Sequence, residues 1–169
     1  MVDSGAAGTP TDTASRDSAD TGDAPLRPDA PVTLYAVRHA EKGTGSDPDL
    51  TKEGHARAAA LATLLHEVEL HAAYATSYLR TQQTVQPTAD DHGLAVNIDF
   101  DGEEDLAQQL ALEHGGDTVV HAGHTNTLPD LFRALGAETW DGVDGYGQVW
   151  ILVLDEAGHV DIEMSSYGE

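Results

Sequence analysis

Arg38-His39 closes an apolar run, Val32 to Val37, and so sets a guanidinium beside an imidazole at an expected strand end. Open α/β sheets hold their ligands at that end of the strands. Two further stretches repeat the arrangement, each with a basic residue just past an apolar run: Thr76-Ser77-Tyr78-Leu79-Arg80-Thr81-Gln82-Gln83-Thr84, and Thr118-Val119-Val120-His121-Ala122-Gly123-His124-Thr125-Asn126-Thr127. The chemistry that suits such a set is phosphoryl transfer through a histidine. A phosphate monoester carries nearly two negative charges, and its transferring group is stabilised by positioned cations and hydrogen-bond donors. Arg38 and Arg80 can grip the oxygens in fork geometry. One imidazole has to be neutral with a free nitrogen aimed at phosphorus, which suits His39. A second can stay protonated and donate to the oxygens, which suits His124.

In this order and spacing, Arg-His, Ser-x-x-Arg-Thr-x-x-Thr and Gly-His-Thr-Asn-Thr resemble the histidine phosphatase, or phosphoglycerate mutase-like, superfamily in a compact form without large insertions. The resemblance runs over residues 32–154 and includes Asp49-Leu50-Thr51-Lys52-Glu53-Gly54, which is similar to the start of that family's first helix. It implies a transiently phosphorylated His39 with Arg38, Arg80 and His124 around the phosphate, and no metal or other cofactor. Two departures stand out. Ala40 replaces the usual Gly, and Thr125 follows the second His where some branches carry a catalytic Asp, which argues against the phytase and acid phosphatase branch.

The proton donor is the open assignment. Protonating a leaving alkoxide needs a carboxyl held near neutrality within reach of the ester oxygen. By resemblance to members with a glutamate donor, Glu103, then Glu104, stand at the right distance after Arg80. The plain alternative is that Glu103, Glu104 and Asp105 decorate a helix N-terminus, where the dipole favours acids. Without a donor, the chain would favour good leaving groups such as phosphohistidine. Asn126 is counted with the phosphate-binding set, the alternative being a bond to the His39 loop or a helix cap. His121 lies on the opposite strand face from His124 and reads as structural. Lys42 lies on the loop after His39, and Arg57 reads as an exposed helix residue that could instead buttress the site.

Eight Lys plus Arg against 30 Asp plus Glu give a formal charge of −22 over 169 residues. Such a chain repels nucleic acid and anionic membranes, and Arg38 and Arg80 are two of its few cations. Adaptation to high salt is one reading of the acidity, an ordinary acidic protein the other. Cysteine is absent, which excludes disulfides, zinc–thiolate sites and a cysteine nucleophile. No stretch has the length and apolarity of an integral membrane segment. Residues 1–30, built from Asp, Ser, Thr, Gly, Ala and Pro, read as a disordered acidic tether before a domain at 31–169. The expected location is cytoplasmic; the alternative is an exported or lipid-anchored protein.

These residues need a scaffold, and the pattern supplies one. Strands are expected at Val32 to Val37, Ala72 to Thr76, Leu94 to Phe100 and Thr118 to Ala122, with a closing hairpin of Gln148 to Leu154 and His159 to Met164. Helices are expected after a Thr51 cap to near Glu67, from Tyr78 to Asp91 with a kink or early end at Pro87, from Glu103 to His114, and from Leu128 to a stop at Gly136. The alternation predicts a three-layer α/β/α sandwich around a mostly parallel sheet with a C-terminal β-hairpin. The functional expectation is a metal-independent phosphatase acting on a phosphorylated small molecule or a phosphohistidine protein. A non-catalytic phosphoanion-binding module, a phosphoglycerate mutase-type phosphotransferase and a metalloenzyme built on the histidines are the alternatives.

Overall fold

Four apolar runs lie side by side in parallel as β1 (Val32–Arg38), β2 (Ala72–Ala75), β3 (Val96–Asn97) and β4 (Thr118–Gly123). The computed structural model describes residues 24–138, 140 and 142–168. β5 (Gln148–Leu154) pairs antiparallel with β1, and β6 (Val160–Ser166) antiparallel with β5, giving the order β3-β2-β4-β1-β5-β6. Strand side chains alternate between faces, and the alternation sorts two cores. Leu34, Ala36, Val119 and Trp150 pack with Leu106 and Leu110 of α3 (Gly102–Glu113) and Leu128 and Phe132 of α4 (Thr127–Leu135). On the other face, Val37, Val120, Ala122 and Val149 meet Leu61 and Leu65 of α1 (Lys52–Leu65) and Val85 of α2 (Leu79–Asp91). The result is the α/β/α sandwich expected from the pattern.

Register positions the candidate chemistry. Val37, Ala122 and Ala75 lie abreast on β1, β4 and β2. The residues that follow them, Arg38-His39, Gly123-His124 and Thr76 onward, therefore leave the sheet together at its carboxyl edge. Because β5 runs the opposite way, with Val149 opposite Val37, the turn just before Gln148 stands beside the same edge.

Most expected elements are present, with four differences. Pro87 sits inside α2 without ending it. Its ring removes one helical hydrogen bond, but buried Thr84, Val85, Thr88 and Ala89 on either side bind the helix to the sheet. The strand expected over Leu94 to Phe100 shortens to Val96–Asn97, because the Asn97 side chain accepts from the Asp99 amide and turns the chain toward α3. The last strand runs on to Ser166, paired with Gln148 across the full hairpin. The packed part also begins before residue 31: Leu26 lies against the first core, Pro28 is buried, and Pro25 approaches Gly158 in the hairpin turn. The remainder of the expected tether, residues 1–23, lies outside the described residues.

His121 is fully enclosed, its ring 5.9 Å from that of Phe100. Burial, and secondarily the neighbouring His124, lower its pKa from 6.5 to about 3. The unfolded chain therefore takes up a proton below pH 6.5 that the folded chain refuses. The stability tied to this residue is complete above pH 6.5 and drains as pH falls toward 3, by up to ~1.4 kcal/mol per pH unit. Urea titrations should find that wild type loses more stability than His121→Phe between pH 6.5 and 5; equal losses would remove this role.

Candidate active site

His39 leaves β1 with its amide donating to the Gly123 carbonyl at 2.9 Å, one last bond between the two strands. Its Nδ1 lies 2.8 Å from the Ala40 carbonyl oxygen. A carbonyl only accepts, so Nδ1 carries the hydrogen and Nε2 keeps its lone pair. The ring is nearly enclosed, at 4% exposure. Burial lowers its pKa below the usual 6.5, and Arg38, Arg80 and Lys42 push the same way against the raising effect of the Ala40 bond. His39 is thus neutral at neutral pH with a fixed free nitrogen. The charge of exposed Lys42 reaches the ring through space.

The loop after His39 is fastened at several points. The Ala40 amide donates to the Thr84 hydroxyl, which itself donates to the Arg80 carbonyl. Glu41 is gripped by the Arg57 guanidinium through Nε and the terminal nitrogen, at 2.6 to 2.9 Å. Arg57 also donates to the Tyr167 and Gly168 carbonyls. The Glu41 carbonyl accepts from the Thr51 amide, and the Thr51 hydroxyl caps α1 by accepting from Gly54. Gly54 is required by contact: a Cβ there would collide with the Glu41 carbonyl. The Ala40 methyl is fully buried with Leu50 and Ala58, so a side chain at this position is accommodated by a small apolar contact under α1.

Arg38 and Arg80 supply the cations. Arg38 donates to the Gly145 carbonyl at 3.2 Å and its guanidinium lies 4.4 Å from the Tyr146 ring centre. The Arg80 guanidinium lies 4.3 Å from the Tyr78 ring centre and 4.0 Å from an Asp47 carboxylate oxygen. The Nε of each arginine is sealed from solvent without a partner among the described residues. Donors left over in this way suit an anion.

The second histidine faces the first, with ring centres 5.4 Å apart. Its Nε2 lies 2.9 Å from the Thr76 hydroxyl, which lies 2.7 Å from that of Thr81, and Thr81 is within bonding distance of the Tyr78 and Thr76 carbonyls. The His124 amide donates to the Thr127 hydroxyl. Burial first, then Arg80, His39 and Arg38, lower the His124 pKa to about 4. The protonated donor expected from the sequence is therefore a neutral ring in the free protein, because burial, and then two guanidiniums, disfavour its proton. A phosphate dianion set among these groups would reverse that sign.

The remaining candidates stand differently. Asn126 is exposed, and its side chain makes no cap at α4 and no bond to the His39 loop. Glu103 opens α3 and forms no hydrogen bond or ion pair with either histidine, but burial, assisted by the charge of Asp130, raises its pKa to about 7. One of its oxygens is buried without a partner. Sequence reasoning left Tyr146 and Tyr78 unremarked and gave Arg57 only a minor chance of buttressing. Tyr78 lies inside the Ser-x-x-Arg motif, but nothing near Tyr146 in sequence points to His39. Among the described residues no group of three or more His, Asp or Glu side chains converges as a metal site would.

The model of the histidine phosphatase superfamily (branch 1) matches residues 34–107, the stretch holding the His39 loop and the Arg80 motif. Over that stretch, less than half of the chain, the sequence is similar to the histidine phosphatase superfamily. No curated protein matches by sequence. The protein histidine phosphatase SixA solved with tungstate is similar over 79% of this chain and 96% of its own, at 18% identity and a TM-score of 0.63. A mycobacterial glucosyl-3-phosphoglycerate phosphatase is similar over 82% and 99%, at 13% identity and 0.61. A phosphoglycerate mutase from Bacillus anthracis is similar over 83% and 94%, at 16% identity and 0.58. At these identities the structural likeness is one of fold.

The Glu41–Arg57 pair is largely shielded, with side-chain exposures near one fifth. A double-mutant cycle of Glu41→Gln and Arg57→Met in urea should return a coupling of about 1–2 kcal/mol. A coupling near zero would mean that the loop is held by Thr84 and Thr51 alone.

Proposed function

We propose that the protein is a metal-independent phosphatase that hydrolyses phosphate monoesters or phosphohistidine through a phosphohistidine intermediate on His39. The observation that carries the reading is the His39 Nδ1 to Ala40 carbonyl bond at 2.8 Å, which leaves Nε2 as the only nucleophilic nitrogen. In the first step Nε2 attacks phosphorus and the bond from phosphorus to the leaving group breaks. In the second, water attacks phosphorus, the bond from phosphorus to Nε2 breaks, and orthophosphate leaves with one water proton while the other passes to Glu103 or solvent, restoring neutral His39. Arg38 and Arg80 hold the nonbridging oxygens through both steps. His124 takes up a proton as the dianion arrives and donates it to the same oxygens.

Glu103 is the proposed proton donor to poor leaving groups. A carboxyl with its pKa raised to about 7 is half protonated near neutrality, as a general acid has to be. Its side chain would have to swing toward the leaving oxygen, since it does not touch either histidine. Asn126, on the exposed rim, is left as a phosphate contact of the bound state. The names of two similar structures, a protein histidine phosphatase and a sugar phosphoglycerate phosphatase, agree with hydrolysis as the reaction.

Hydrolysis of p-nitrophenyl phosphate in chelator should be abolished by His39→Ala and unaffected by the chelator in wild type. Complete inhibition by the chelator would instead require a metal. Glu103→Gln should slow an alkyl phosphate about 10²-fold or more while sparing p-nitrophenyl phosphate, whose leaving group needs no proton. Equal loss on both would remove Glu103 from the donor role.

A further inference from the structure

Among the described Phe, Tyr and Trp residues, Tyr78 and Tyr146 are the two that are exposed, at 45% and 36%, and both stand at this site. Tyr78 comes from the turn before α2 and Tyr146 from the turn before β5, so two unrelated segments deliver the same residue type to one sheet edge. Tyr78 presents its ring 5.2 Å from that of His124, at 85°. Tyr146 presents its ring 6.1 Å from that of His39, at 59°. Each also flanks one of the two guanidiniums. The histidine pair is therefore framed by two aromatic rings, each backed by a cation and each partly open to solvent.

Exposed aromatic carbon is unfavourable in water, and neither ring is needed to fill a core. A cation behind one face draws ring electron density toward itself, which leaves the open surface suited to offset or edge contact with another planar ring. An arriving phosphate is held by Arg38 and Arg80, and its leaving group then projects outward between the tyrosines. A planar group joined to phosphorus, directly or through one oxygen, would meet both rings there. A flexible alkyl or sugar group meets the same walls without matching them.

We propose that Tyr78 and Tyr146 form a leaving-group subsite that selects phosphoryl groups carried on a planar aromatic ring, imidazole or phenyl, over those carried on alkyl or sugar hydroxyls. This rests on the reading of the histidine and arginine cluster as the phosphoryl site. It narrows the substrate class to phosphohistidine or aryl phosphates, and it gives a reason for two tyrosines to remain exposed on a strongly acidic protein.

The test separates ring recognition from turnover by using ligands that are not hydrolysed. Calorimetry compares phenylphosphonate with cyclohexylphosphonate, which match in size while the cyclohexyl group is the more apolar, and uses orthophosphate as the reference. Wild type should bind phenylphosphonate about three- to tenfold more tightly than cyclohexylphosphonate. The preference should survive in Tyr78→Phe and Tyr146→Phe and vanish in the corresponding Leu variants. Reading the ratio within each variant cancels any common loss from a displaced arginine. Equal binding of the two phosphonates by wild type, or a preference that persists in both Leu variants, overturns the subsite. If orthophosphate and both phosphonates fail to bind wild type, the phosphoryl-site reading itself is what fails. Where the ring preference holds, kcat/KM for phosphohistidine and phosphotyrosine peptides identifies which ring is served, and a phosphoserine peptide favoured over both contradicts the proposal.

Discussion

A histidine can attack phosphorus only if it is neutral, if one nitrogen is free, and if that nitrogen is held in place. The hydrogen bond from His39 Nδ1 to the Ala40 carbonyl meets the last two conditions at once. Because the acceptor is the next residue's own backbone, the bond is only as rigid as the loop. This accounts for how heavily that loop is secured: Thr84 from α2, Arg57 and the Thr51 cap from α1, and the close approach that Gly54 permits. The fastenings come from two helices and end within two residues of Ala40. The sheet supplies the coarse position through register, and these side chains supply the fine position.

Electrostatics meet the first condition. The chain carries a formal charge of −22, a field that would favour protonated imidazole and disfavour phosphate. Locally the balance inverts. Burial and the two arginines hold His39 and His124 below their usual pKa, and Glu41, the acid nearest the loop, is neutralised by Arg57. Asp47 sits 4.0 Å from Arg80 and also accepts from the Leu79 amide at the start of α2, so its charge is partly committed to the helix end. The same arginines that repel a proton from the histidines would attract a phosphate, whose charge would favour that proton's return.

The fold was legible in sequence wherever an apolar run or a cap left a periodic signal. β1, β4, the Thr51-capped α1 and the Gly136 stop of α4, where φ is +105°, all carry such signals. β3 was overestimated because Leu94 to Phe100 alternates well, while this edge strand is limited by the Asn97 turn and by its short partner β2. The early end considered at Pro87 does not occur, because propensity describes an isolated helix, whereas buried residues on both sides hold α2 together to Asp91. At the site, residues at strand ends could be read from their neighbours: Arg38, His39, Arg80 and His124 all followed apolar runs. Tyr146 could not, since it reaches His39 only through an antiparallel pairing more than a hundred residues away in sequence. The neutrality of His124 was likewise hidden, because it follows from burial and from two arginines that only the fold brings near.

The proton position on His39 is the most direct measurement, because the mechanism requires it before any substrate is added. Long-range nitrogen–proton NMR correlation on histidine-labelled protein near pH 7 should show a protonated Nδ1 and a bare Nε2 for His39, with the ring still neutral at pH 6.5. Phosphorylated enzyme should then carry its phosphoryl group on Nε2. A His39 protonated on Nε2, or charged at neutral pH, would contradict the account.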